Sequence, residues 1–172
     1  GTIIRELLGG DLDYMAFKIR ELSKGKEIEF SHKCPNCGTK LNTIITTDEF
    51  NILPFKGQYS VDFSLLRGYK DGKGDIHKDG VLRLPNGLDR ELVNPLFKKN
   101  PSSAMTMLLT RLMSFKDGAV VTQSLVSDMS LRDREILEKI VKEYNFGLDT
   151  SVDIVCSSCG QDIGGEVGQS NF

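Results

Sequence analysis

The 172-residue chain has no tryptophan, two histidines, five prolines and no strong excess of either charge. No apolar stretch approaches the ~18 residues needed to span a bilayer. The net charge of −2 offers no dense basic face of the kind that holds a phosphate backbone. Charge is nonetheless uneven, with net +3 over residues 67–99 and net −4 over 100–172. Catalytic signatures are missing too: there is no G-x-x-x-x-G-K-[ST], no G-x-S-x-G, no H-E-x-x-H and no G-x-G-x-x-G opening a helix after a strand. With two histidines, a nucleophile and its base are hard to assign, so no catalytic residue is expected. At 39% hydrophobic and 27% charged residues, wholesale disorder is excluded. A chain this long buries roughly 70% of its unfolded surface and needs neither metal nor disulfides merely to fold. The expectation is one soluble α+β domain, 1–172.

What the sequence does have is four cysteines in two pairs, Cys34 and Cys37 in CPNCG and Cys156 and Cys159 in CSSCG. A two-residue spacing lets two thiolates of one tight turn reach one ion at about 2.3 Å, and the following Gly lets the chain turn beneath it. Four such ligands suit one structural Zn²⁺ with no open position for water. The long separation between Cys37 and Cys156 then makes the site a split ribbon, with halves at 26–46 and 148–168. Other readings stay open. A thioredoxin-type pair places its C-x-x-C at a helix N-terminus, whereas each pair here runs into a strand-like segment. Disulfides and a four-thiolate iron centre are further alternatives, although the absence of a secretory signature favours a reducing cytoplasm. His32 is a substitute ligand only if one Cys is not used.

The elements around the pairs repeat. Leu12, Met15, Ala16, Ile19 and Leu22 recur at helical spacing, with Asp11 or Asp13 as cap and Gly25 as stop, followed by strands over Glu27–Phe30 and Lys40–Thr46. Near the other end Leu137, Ile140, Val141 and Tyr144 mark a helix capped by Ser130 and Asp133, with Gly147, then strands at Val152–Ile154 and Ile163–Val167. Gly25 and Gly147 each lie nine positions before the first Cys of a pair, which suggests a weak internal repeat with facing hairpins.

Between the ends, Tyr59, Val61, Phe63 and Leu65 alternate, and Val81 to Leu84 can pair with them. The Gly/Lys/Asp-rich segment 67–80 reads as a hairpin tip or loop, in which His77 has no evident partner and Asp71, Asp75 and Asp79 lack the closing Glu of a Ca²⁺ loop. Asn100 and Pro101 open a helix with Met105, Leu108, Leu109, Leu112 and Met113 on its apolar side, and Pro95 interrupts any helix between Leu88 and Asn100. Met105, Met107 and Met113 read as core rather than as a partner surface. In all, three to four helices and one central strand pair are expected.

The stretch DYMAFKIRELSKGKEIEFSHKCPNCG, Asp13 to Gly38, resembles the opening of the T-even-type bacteriophage baseplate hub family. The likeness rests on the leading helix with Lys18-Ile19-Arg20, on Gly25, on the strand into CPNCG, on the late CSSCG and on the aromatic Phe172, with VLRLP (Val81 to Pro85) similar in character. The resemblance implies a zinc-ribbon protein of the tail baseplate hub, either an assembly factor (chaperone or scaffold) or a minor hub subunit, without enzymatic activity. It implies Cys34, Cys37, Cys156 and Cys159 as ligands of one structural Zn²⁺, other tail and hub proteins as partners, and a place in the host cytoplasm or the virion. No membrane partner is expected. The alternative is a nucleic-acid-binding ribbon, with Lys24, Lys26, Lys33 and Lys40 near the first pair as phosphate contacts; its charge support is thin.

Overall fold

A computed structural model describes residues 4–166. In chain order the elements are α1 (Gly9–Lys24), β1 (Glu27–Lys33), β2 (Lys40–Thr46), β3 (Asn51–Leu53), β4 (Ser60–Lys70), β5 (Ile76–Arg83), α2 (Gly87–Phe97), α3 (Pro101–Leu112), β6 (Met113–Phe115), α4 (Gln123–Asp128), α5 (Leu131–Glu143), β7 (Gly147–Asp149), β8 (Ser151–Val155) and β9 (Asp162–Glu166). The fold is mixed α and β, and the named strands pair antiparallel throughout. Among the described residues there are five α-helices rather than three or four. Val167 and Phe172 lie outside the described residues.

The chain divides into two compact units, each discontinuous in sequence. The first takes the chain up to Leu12 together with Phe55–Asn145, and the second takes Asp13–Pro54 with the chain from Phe146 onward. In the second unit β3 pairs with β7, so that Leu53 lies opposite Gly147. The long middle segment therefore leaves and returns at neighbouring positions, as an inserted domain does.

The first unit is built on the sheet β4-β5-β6. Its core gathers Phe63, Leu65, Leu82, Val93, Leu109, Leu112, Leu125, Val126 and Leu137, with Met105 and Met107 packed against it and Met113 inside it, which is the core role expected of the methionines. The caps of α3 and α5 are as expected: Asn100 accepts the Ser103 N–H with Pro101 in the first turn, and Ser130 accepts the Asp133 N–H. Neither Asp11 nor Asp13 caps α1, which already starts at Gly9 and holds both within its first turns. Two further expectations fail. Met113 is not helical; its backbone turns extended (φ −82°, ψ 145°) and starts a third strand, so the central strand pair is a three-stranded sheet. Pro95 does not interrupt α2, which continues to Phe97. Proline removes the hydrogen bond to the carbonyl four residues back, that of Glu91, and Glu91 is exposed, so water can replace the missing donor.

Segment 67–80 is a hairpin tip, with strands reaching Lys70 and restarting at Ile76 and only Asp71–Asp75 left as turn. At its entry the β4–β5 register shifts between Ser64 and Tyr69. The shift turns three successive N–H groups away from β5, and the fully buried Asp133 takes them: Oδ1 lies 2.6 Å from Leu66 N and 3.2 Å from Arg67 N, and Oδ2 lies 3.3 Å from Gly68 N. Ser130 donates to the same carboxylate at 2.9 Å. The residue read as a helix cap is thus also a clasp for a strand bulge. A second buried carboxylate, Asp89, accepts from Arg83 at 2.6 and 2.9 Å, from Arg111 at 2.7 Å and from the Asn86 N–H at 3.0 Å, closing the capping box of α2.

His77 has partners after all. Its ring stacks on Tyr69 and tilts against Phe115, Nδ1 lies 2.7 Å from Asp117, and Nε2 lies 3.7 Å from Asp71. The hydrogen bond to Asp117 raises the imidazole above its ordinary 6.5. Asp117 is held below 3.8 by the same bond, and Asp71 is also lowered, by the backbone N–H groups it accepts despite its desolvation. A raised His contributes stability fully below about 6.5 and loses it as pH climbs through its folded value; the lowered carboxylates contribute above about 3.8 and lose it on acidification. Protection factors of the tip amides should therefore peak between about pH 4 and 6.5, and His77→Gln should remove the fall on the alkaline side. A flat profile in the parent protein would contradict the arrangement.

Candidate metal centre

Each cysteine pair sits at the end of a two-stranded hairpin in the second unit, and the two ends are built alike. The strands β1 and β2 close with Lys33 opposite Lys40, and β8 and β9 close with Val155 opposite Asp162. In the first turn the Cys34 N–H donates to the Thr39 carbonyl at 2.9 Å and the Gly38 N–H to the Cys34 carbonyl at 2.9 Å. In the second turn the Cys156 N–H donates to Gln161 at 2.8 Å and the Gly160 N–H to Cys156 at 2.8 Å. Gly38 and Gly160 have φ of +74° and +71°, a conformation that a side chain would strain. The repeat read from the sequence is present in these hairpins, but not in the helices, since α5 belongs to the first unit.

The four sulfurs come together. All lie within 4.8 Å of one another, with Cys34 and Cys159 at 3.8 Å and Cys37 and Cys156 at 3.7 Å. A tetrahedral site with metal–sulfur bonds of about 2.3 Å has sulfur–sulfur edges of about 3.8 Å. The donor set and its spacing thus fit one soft or borderline divalent ion, and these residues can hold a metal ion. All four cysteines are free, with sulfurs far beyond the ~2.05 Å of a disulfide. Neither pair opens a helix, which removes the geometry of a thioredoxin-type thiol. His32 is not among the clustered ligands.

Burial splits the four. Cys34 and Cys156 are buried with Leu41 and with Ile163 packed beside them, whereas Cys37 and Cys159 are exposed. The Thr39 hydroxyl, and then the Thr39 backbone, pull the Cys37 thiol down to about 6, while burial pushes Cys156 up to about 11. A cation bound among the sulfurs acts in the opposite sense to that burial, since it favours the thiolate. The Asn36 amide also donates to the Cys159 sulfur at 3.6 Å, a contact from one turn to the other. Thr39 and Asn36 escaped the sequence reading; the one signal was a hydroxyl residue directly after CPNCG.

The lysines of the alternative reading are partly committed. Lys26 is bound to Asp48 at 2.8 and 2.9 Å, and only Lys33 and Lys40 stand side by side at the first turn. Like charges directly opposite are unfavourable in a strand pair. A four-thiolate centre holding a divalent ion would carry net −2 and would offset them.

These features define a two-unit protein of mixed α and β structure whose early and late segments meet at a four-thiol cluster. Residues 2–167 match the family described as T4 bacteriophage base plate protein, and the chain belongs to that family. No curated protein and no solved structure matches it significantly. Among the described residues no helix is long and apolar enough to cross a membrane.

Proposed function

We propose that this protein serves the central hub of the tail baseplate, as a non-enzymatic hub subunit or as the assembly factor that builds the hub, and that Cys34, Cys37, Cys156 and Cys159 bind one structural Zn²⁺ in a split zinc ribbon. Family membership supports a structural role at the baseplate beside other tail proteins; the protein acts in the host cytoplasm as an assembly factor or stays in the virion tail as a hub subunit. The observation that carries the metal reading is the meeting of two cysteine pairs from opposite ends of the chain at tetrahedral spacing. Four protein ligands leave no position for substrate or water, so the ion is a fastener and not a reagent. Its work is to tie the segments flanking the inserted middle, fixing the second unit as a surface on which tail proteins assemble.

The metal is tested by elemental analysis of protein purified without added metal. One zinc per chain, retained through gel filtration and lost in a Cys34→Ser, Cys156→Ser variant, is the expected result; zinc-free protein with unchanged folding contradicts it. The hub role is tested by infection with phage in which this reading frame is interrupted. Tails should stop before a complete hub forms, and normal tails would exclude the role.

A further inference from the structure

In the first unit two arginines have nothing to hold. Arg83 and Arg111 share the Asp89 carboxylate, and Arg134 binds Glu138 at 2.8 Å. The guanidiniums of Arg67 and Arg132, by contrast, have no acceptor and no acidic partner among the described residues, and both line one cavity of about 360 Å³ together with Ser130 and Leu131. A third cation adjoins them: Lys78 donates to the Leu66 carbonyl at 3.1 Å and has no acidic partner among the described residues either. The Asp133 carboxylate is fully buried and taken by the backbone N–H groups of the bulge and by Ser130, so it pairs with none of the three side chains.

The placement follows from the bulge. A bulge re-aims the side chains of the strand that carries it, and the shift between Ser64 and Tyr69 brings Arg67 to the start of α5, where Arg132 stands. The arrangement costs stability, because like charges share one cavity and a cation in the first turn of a helix opposes the helix dipole. Among the described residues no side chain offsets that cost; an anion from outside would. Nucleic acid is a poor occupant. Three cations neutralise too few phosphates for a backbone track, and residues 100–172, which include α5, carry net −4. Free phosphate leaves the apolar surroundings unused: Leu66 and Leu131, the chain neighbours of the two arginines, are 61% and 71% exposed. An acidic side chain next to an apolar one uses both, and a guanidinium binds a carboxylate through paired N–H bonds.

We infer that the Arg67–Arg132 cavity docks an acidic segment of another baseplate protein, with a carboxylate between the two guanidiniums and an apolar neighbour against Leu131. This rests on membership of the baseplate family and not on the hub role or the metal centre. The test places a photo-crosslinking residue at position 131, which leaves both arginines in place, with position 120 on an exposed loop of the same unit as control. Cross-links are collected in infected cells during assembly and in purified tails. The expected result is cross-links from position 131 to one segment of another baseplate protein that carries Asp or Glu, missing from position 120. Adding Arg67→Gln and Arg132→Gln should lower their yield by about tenfold or more. Cross-links to nucleic acid, to a second copy, to a segment without an acid or to no protein overturn the proposal, as does a yield that the glutamine pair leaves unchanged. The free protein carrying both glutamines should keep its melting temperature, since neither guanidinium serves the fold; a marked fall overturns the proposal as well. Cross-links to an acidic segment of a baseplate protein outside the hub would uphold the proposal and count against the hub role alone.

Discussion

If the four thiols hold the proposed zinc, a strong chelator should unfold Asp13–Pro54 and residues 146–166 while Phe55–Asn145 stays folded. The two units differ in what holds them. The second has a small core of Phe17, Ile28, Ile45, Phe50 and Leu148, and its sheets are two-stranded pairs. An isolated two-stranded pair is marginal in water. Structural zinc supplies roughly 10–16 kcal/mol in finger peptides at neutral pH, comparable to the entire stability of a typical domain. The first unit has a larger core on a three-stranded sheet backed by helices, and none of the four cysteines lies in it. Hydrogen exchange read by mass spectrometry separates the two. Amides of β1, β2, β8 and β9 should lose their protection on chelation, while those of β4, β5 and α3 keep it. Equal loss in both units, or none in either, would contradict this division.

The second large effect is expected at Asp133. Asp133→Ala strands the Leu66, Arg67 and Gly68 N–H groups at a bulge that β5 cannot serve. Each unsatisfied buried donor costs about 1–3 kcal/mol, and breaking a buried charged network costs about 3–5 kcal/mol. For a unit of this size that corresponds to a fall of melting temperature on the order of 15–30 °C. Asp133→Asn keeps one acceptor oxygen and should lose less. Urea unfolding of the metal-loaded protein, followed by circular dichroism, provides the check; a loss below about 1 kcal/mol for the alanine variant would mean that the bulge finds other acceptors.

The candidate site was legible because its signal is local and chemical. C-x-x-C-G places two thiols on one turn whatever surrounds it, and the two turns have the same hydrogen bonds. The caps at Asn100 and Ser130 were legible for the same reason, since a capping side chain bonds to its own helix. What escaped depends on partners distant in sequence. Periodicity located α1 but not the face it buries, because nothing local reveals that Phe17 meets Phe50 or that Arg20 is drawn in by backbone carbonyls. Met113 read as helical because its spacing continues that of Leu109 and Leu112, while its strand is made by β5. His77 looked solitary because Asp117 lies 40 positions away. The break at Leu12–Asp13 and the division into two units follow from contacts between segments on either side of the inserted middle, which composition does not mark.

X-ray absorption at the zinc edge on monomeric, metal-loaded protein tests the four-sulfur centre most directly, because the chain has only four cysteines. The account predicts one zinc per chain with four sulfur neighbours at about 2.3 Å and no nitrogen or oxygen in the shell. A shell with fewer sulfurs, or a fold that retains β1, β2, β8 and β9 with no metal bound, would contradict it.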